Sequence, residues 1–277
     1  MGDIRKIRKA VVPAAGKGTR LYPLSRAVPK EMLPIGRKPV LEVIVDELVS
    51  TGIDDILFVI SDDKLSIPAY FEHYPGISVH WTIQKEQKGL ADAVLCGKDF
   101  VGSDPFIVAL GDSIITPAGP PHATQRVLDC FAETDAQAVV IVQKTPIEDS
   151  ASFGMVRPKR WDGDERFEID LLVEKPKPEE SPSEYAIAGR YAFDPSVFDY
   201  IRNTPPGALG ELQLTDSIGL MLAAGKPVWC VPLVGDEIRR DIGTFQTYFE
   251  AFLLACLDDP ELGATFGEKF LKHGCHG

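Results

Sequence analysis

The residues with the clearest chemical promise lie in the run VVPAAGKGTRLYPLSRAVPKEML, residues 11–33. A short apolar run gives way there to Ala14, Ala15, Gly16, Lys17, Gly18, Thr19 and Arg20, followed by Pro23 and a Pro29–Lys30 pair. Glycines at 16 and 18 let the backbone turn tightly and bring its amide groups close to a phosphate. Two glycines in a turn are also common without any ligand. Here, however, Arg20 and Lys30 flank nine residues that include two prolines, which suits a long rigid loop folding two cations back over one anion. Two common phosphate-binding templates do not fit. Leu21 stands where a dinucleotide fingerprint has its third glycine, and no GxxxxGK[ST] stretch occurs in the chain.

Such a loop needs a strand before it and a scaffold around it. Residues 9–13 read as that strand, and 39–50 (PVLEVIVDELVS) as a helix ended by Gly52. Further strands are expected at 53–61, 77–84, 105–110 and 136–143, with helices from 90 to about 100 and at 125–132. This alternation implies an α/β fold: a doubly wound, mostly parallel, Rossmann-like sheet covered on both faces. In such sheets ligands bind beyond the carboxyl ends of the strands, where the glycine loop falls. So does Asp112, just after the apolar run 106–110. After Thr145 the rhythm changes: strands at 153–157, 166–175 and 185–193, with Trp161-Asp162-Gly163-Asp164 as a hairpin turn, suggest a smaller β-rich lobe. Helices at 196–203, 212–224 and 245–257 and a strand at 227–233 complete the chain. In the last helix Phe245, Phe249, Phe252 and Leu253 read as core rather than interface. We expect a single domain over 1–277, with a nucleotide-binding half at about 8–145 and a second half at about 146–257.

Composition narrows the function classes. At 277 residues, 44% hydrophobic and 25% charged, the chain can bury a full core. A formal net charge of −12 argues against nucleic acid as a partner, since that binding needs a basic surface. Any phosphate must then be handled locally. The longest apolar runs, such as 106–110 and 138–142, fall far short of the roughly 20 residues that cross a bilayer, so no membrane association is expected. Residues 1–10 are basic without a secretory apolar core, and the cytoplasm is the expected compartment. Five scattered cysteines with no CxxC pair argue against a zinc site and a disulfide framework. His273, Cys275 and His276 could trap a metal, but a frayed tail is the simpler reading.

The stretch AAGKGTRLYPLSRAVPKEMLP matches, without a gap, the signature of the sugar-phosphate nucleotidyltransferase family, and the resemblance extends from about Arg8 to Leu254. It implies a nucleotide-diphospho-sugar transferase fold, with the loop Ala14, Ala15, Gly16, Gly18 and Thr19 on the nucleotide. In TIQKEQKGLADAV, Gln84 and Gly89 occupy the positions that in the family read the nucleobase, through a side-chain amide and a backbone group. Read alone, Gln84 is a polar strand end. The resemblance assigns Mg²⁺ to Asp112 in ALGDSII and Asp241 in RRDIGT, although either aspartate could instead cap a following helix. In LLVEKPKP it gives Glu174 to sugar hydroxyls and Lys175 to the sugar phosphate. Adjacent strand residues point to opposite sides unless the strand bends, and a plain salt-bridged strand end fits the same letters. Gly154 and Gly189 match places where the backbone lies against the sugar, while Phe153 replaces the tyrosine of many relatives.

The implied reaction is nucleotidyl transfer to a sugar 1-phosphate, with Arg20, Lys30 and Lys175 as its catalytic cations. PKEMLP, KGLADAV and TPPGALGELQLTDSI resemble the branch that joins UTP to glucose 1-phosphate. LGDSI and DIGT look more like the branch that uses dTTP with the same sugar phosphate. The longer matches favour UTP. The family forms dimers or tetramers, so a homo-oligomer is expected. A non-catalytic nucleotide-sugar sensor and a nicotinamide oxidoreductase are the readings from other classes; the retained aspartates disfavour the first and Leu21 the second.

Overall fold

The structure is a computed structural model describing residues 6–117, 122–163, 165–207 and 210–273. The chain opens with the β-branched run of β1 (Lys9–Pro13) and passes through 3₁₀ turns at Thr19–Leu21, Leu24–Arg26 and Lys30–Met32. A small ribbon of β2 (Pro34–Ile35) and β3 (Lys38–Pro39) leads into α1 (Val40–Ser50), then β4 (Asp55–Ile60), α2 (Ser66–Phe71) and β5 (Ser78–Ile83). Next come α3 (Leu90–Leu95), α4 (Lys98–Val101), β6 (Phe106–Ala109), β7 (Ser113–Thr116), α5 (Ala123–Glu133) and β8 (Ala138–Lys144). Then follow β9 (Gly154–Asp162), β10 (Arg166–Glu174), β11 (Tyr185–Phe193), α6 (Val197–Asn203) and α7 (Leu214–Ala223). The remainder is β12 (Val228–Pro232), β13 (Ile238–Asp241), α8 (Phe245–Leu257) and α9 (Gly263–His273).

Nine strands form one mixed sheet in the order β5-β4-β1-β6-β11-β8-β12-β10-β9. Strands β5, β4, β1 and β6 run parallel, whereas β11 is antiparallel to both β6 and β8. Side-chain alternation along β1 feeds two cores. Ala10 and Val12 join Ile44, Leu48 and Phe58 on one face, and Val11 joins Leu57, Val94 and Val108 on the other. The sheet is thus covered on both sides, as the βα alternation implied.

Two local expectations are corrected. The helix expected from 90 to about 100 is broken into α3 and α4 at Gly97, where a Cβ would stand 2.8 Å from Val11 Cγ2; close packing on β1 overrides helical continuity. On α8, Phe245 and Phe252 pack against the core, but Phe249 is 57% exposed and Leu253 is also exposed. The ribbon of β7 and β13, registered Ser113 opposite Asp241, is too short to read from pattern. Asp164 of the expected hairpin turn, and Cys275 and His276 of the tail, lie outside the described residues.

Candidate active site

The loop after β1 is held from below. Ala14 N donates to Val59 O at 2.8 Å, extending the sheet by one bond. Gly18 then turns at φ 64°, and Lys30 folds back so that its Nζ lies 3.8 Å from where a Cβ at Gly16 would be. Beneath the loop, Lys64 Nζ donates to the carbonyls of Ala14 and Gly16 at 2.6 Å each and to Glu31 Oε2 at 2.8 Å. Glu31 and Lys64 are 1% and 4% exposed. A lysine buried with all its protons bonded, beside a carboxylate, is a rigid fastening rather than a mobile charge. Gln87 Nε2 adds a hydrogen bond to Ala15 O at 2.7 Å.

Asp112 and Asp241 are brought together across the β7–β13 ribbon. Ile242 N donates to Asp112 O at 2.8 Å, and Asp241 pairs in register with Ser113, the next residue. Burial pushes Asp112 up, but the Lys30 ammonium, which is hydrogen-bonded to it, outweighs burial and holds it below the usual carboxylate range. Asp241 shifts the other way: burial and then the like charge of Asp112 raise it, against Arg239, Lys30 and Arg20. Two hard carboxylates repelling each other in a half-buried place are a donor set that a divalent cation would relieve. Among the described residues no third His, Cys, Asp or Glu completes a metal cage.

A cavity of about 390 Å³ opens over the loop, lined by Ala14, Ala15, Gly16, Lys30, Gln84, Gly89 and Asp112 among others. Gly89 adopts φ 109°, and a Cβ there would sit 2.5 Å from Leu212 O and 2.8 Å from Leu212 N. The 211–212 segment before α7 presses on it, with Ala91 N donating to Leu212 O at 3.0 Å. Gly89→Ala therefore meets both a strained dihedral and a backbone clash, and is expected to cost about 1–3 kcal/mol of stability. Urea unfolding is the check; an unchanged midpoint would contradict the clash.

A second cavity, of about 190 Å³, shares Leu90 and Leu110 with the first and is lined by Gly154, Glu174, Lys175, Gly189, Thr215 and Arg239 among others. Lys175 answers the question of direction raised by its neighbour. It takes φ 47°, so the chain bends at the end of β10 and its Nζ comes within 3.6 Å of Glu174 Oε1. Both side chains therefore serve one cavity. A non-glycine residue at positive φ costs energy and is found where surrounding structure imposes it. Gly189, at φ 85°, marks an irregularity in the pairing of β11 with β8, and a Cβ there would lie 3.0 Å from Ser113 Oγ.

Residues 9–256 match the nucleotidyl transferase family. The chain belongs to that family. A curated relative, the UTP–glucose-1-phosphate uridylyltransferase of Staphylococcus epidermidis, is 36% identical over 292 residues, covering 97% of this chain and 99% of the relative. Among solved structures, a UTP-bound UGPase from Acinetobacter baumannii superposes with a TM-score of 0.85 at 29% identity, covering 96% and 99% of the two chains. A UDP-glucose pyrophosphorylase complexed with UDP-glucose gives 0.83 at 29%, covering 89% and 97%. The nucleotide-diphospho-sugar transferase fold expected from the opening loop is thus present in this nucleotidyltransferase.

Of the residues singled out in the sequence, Ala14, Ala15, Gly16, Lys30, Gln84, Gly89 and Asp112 line one cavity, and Gly154, Glu174, Lys175 and Gly189 the adjoining one. Gly18 and Thr19 shape the loop outside the lining, with Thr19 and Arg20 exposed. Arg20 nonetheless reaches Asp241: a Cβ at Gly243 would be 2.9 Å from Arg20 Nη2 and 2.5 Å from Asp241 Oδ2. Three basic residues of this nucleotidyltransferase stand at the site beyond those expected. Arg239 Nε donates to Ser113 Oγ at 2.8 Å, and its guanidinium lies over the Phe153 ring at 5.8 Å. Arg190, wholly buried, binds Glu47 at 2.7 Å and the carbonyls of Ser113 at 3.0 Å and Gly189 at 3.2 Å, tying the two cavities' walls together. Lys64 is the third. Strand alternation would have found Arg239, two positions from Asp241 on the same face; the others carry no local signal. A groove of about 720 Å³ at the amino ends of the strands is lined by charges already paired, Arg8 with Asp54 and Lys9 with Asp104.

Proposed function

We propose that this nucleotidyltransferase moves the uridylyl group of UTP onto glucose 1-phosphate, giving UDP-glucose and pyrophosphate. The observation that carries this reading is the adjacency of two cavities, one over the glycine loop and one at Lys175, along a wall of cations and two aspartates. The names of the relatives support UTP and this sugar phosphate. In the proposal the loop from Ala14 to Thr19 takes the triphosphate, while Gln84 and Gly89 take the base. Gly154, Glu174 and Gly189 receive the sugar, and Lys175 its phosphate. Residues 8–145 form the nucleotide half and 146–257 the sugar-phosphate half of one domain. A dimer or tetramer in the cytoplasm completes the proposal.

The difficulty of the reaction is electrostatic. A phosphate oxygen of glucose 1-phosphate attacks the α-phosphorus of UTP, and the bond to the bridging oxygen of the β-phosphate breaks as pyrophosphate leaves. Two like unit charges 4 Å apart repel by about 4 kcal/mol at an effective dielectric of 20. Several such pairs meet here. Lys175 neutralises the nucleophile's phosphate, and Arg20 and Lys30 the triphosphate and the departing pyrophosphate, with Arg239 between them. Asp112 and Asp241 would hold Mg²⁺, which supplies Lewis-acid charge neutralisation when bound. Lys30, paired with Asp112 in the structure, exchanges that carboxylate for phosphate oxygens as substrate arrives. Positioning and charge suffice, and no protein nucleophile is required.

Glu174 is oriented by Thr215, whose Oγ1 donates to Glu174 Oε2 at 2.7 Å. Hydrogen bonds to charged groups are worth about 1.5–3 kcal/mol. Thr215→Val is expected to raise KM for glucose 1-phosphate roughly tenfold while leaving KM for UTP unchanged; equal changes in both would contradict a sugar-side role. The proposal as a whole is tested by pyrophosphate release from UTP, dTTP, CTP, ATP and GTP with glucose 1-phosphate and Mg²⁺. UTP is expected to be fastest. A dTTP optimum would favour the thymidylyl reading, and silence with all five a binding protein without catalysis.

A further inference from the structure

Gln84 is the side chain assigned to the base, yet a free amide is a poor discriminator. It can turn about its last bond and offer either NH₂ or oxygen. In this structure that freedom is removed. Gln84 is 5% exposed, and its Nε2 donates to Asp92 Oδ2 at 2.8 Å and to Gly89 O at 3.2 Å. Both partners are acceptors only, and the Asp92 contact is a charge-assisted bond. They assign the amide: nitrogen toward α3, oxygen toward the cavity that Gln84 lines. Among the described residues nothing donates to Gln84 Oε1, and the Gly89 N–H has no acceptor.

We propose that Asp92 is a positioning residue for base selection: by fixing the Gln84 amide it makes the site an acceptor beside a donor, the complement of the imide edge of uracil. Uracil offers N3–H to Gln84 Oε1 and its O4 carbonyl oxygen to the Gly89 N–H. Cytosine offers the reverse pattern, a lone pair at N3 and an amine beside it. Two lone pairs then face each other and two donors meet, which leaves buried polar groups unpaired. Thymine shares uracil's edge, so this device separates the imide pyrimidines from cytosine and not from each other. The selectivity rests on the uridylyltransferase reading but acts one step behind the base, through a side chain that does not touch it.

The experiment compares the chain with Asp92→Asn and with Asp92→Ser, which keeps a polar residue in the first turn of α3. For each, kcat/KM with UTP and with CTP is measured, together with UDP and CDP affinity by calorimetry. Asn can present NH₂ as well as oxygen to Gln84, so the amide is no longer held one way round. The UTP-to-CTP ratio is expected to fall at least tenfold in both variants. The loss should lie in KM rather than kcat, and thermal stability should change little. A ratio unchanged within twofold in a folded variant overturns the inference, as does an equal loss with both nucleotides. If the unaltered chain releases no pyrophosphate with UTP and glucose 1-phosphate, the functional reading fails instead. The UDP-to-CDP affinity ratio then still decides the role of Asp92.

Discussion

Asp112→Ala is expected to lower kcat/KM by about 10²- to 10³-fold or more without unfolding the protein. The side chain is only half-buried, and the contact that fixes its place in the fold is made by its backbone, Ile242 N to Asp112 O. Removing the carboxylate removes one of the two hard ligands proposed for Mg²⁺ and the partner of Lys30. Asp241, raised by burial and then by the like charge of Asp112, would lose the second of these and would hold the cation alone. The half-saturating Mg²⁺ concentration should therefore rise together with the loss in rate. Steady-state kinetics over a Mg²⁺ series provides the check. Near-normal turnover, or a loss that ignores Mg²⁺, would refute the role assigned to this residue.

Lys175→Ala is expected to reduce kcat/KM for glucose 1-phosphate by a similar 10²- to 10³-fold. Its side chain stands in the smaller cavity, bent there by φ 47° at the end of β10. Because alanine gains nothing from that dihedral, Lys175→Asn serves as a companion, since asparagine tolerates positive φ without the charge. Both should bind UDP as the unaltered chain does, because the cavity proposed for the nucleotide lies across Leu90 and Leu110. Full activity in the asparagine variant would mean that the bend, not the ammonium, is what the reaction uses.

How much of this was readable from residues alone differs from place to place. The first strand at 9–13 and α8 at 245–257 are legible because a short β-branched run and a helical spacing of apolar residues mark them. The opening loop was legible because Gly16, Gly18, Arg20 and Lys30 lie within fifteen consecutive residues. Glu174 and Lys175 were legible as a pair, but their shared direction depended on a bend that no pattern specifies. The β7–β13 ribbon joins four-residue strands far apart in sequence, so the meeting of Asp112 and Asp241 followed only from resemblance. Lys64 beneath the loop and Arg190 between the cavities are defined by carbonyls contributed from distant segments; a charged residue in sequence carries no mark of such burial. The donor side of the Gln84 amide is occupied by Asp92 and Gly89, an orientation that no residue pattern specifies.

In the proposed reaction the like charges of two phosphates are neutralised well enough for one to displace another directly. UTP carrying a single sulfur stereochemically defined at its α-phosphorus tests this most plainly. Conversion with glucose 1-phosphate should invert the configuration at phosphorus in the nucleotide sugar formed. Retention would require two displacements, hence a covalent uridylyl-protein intermediate, and would contradict the account.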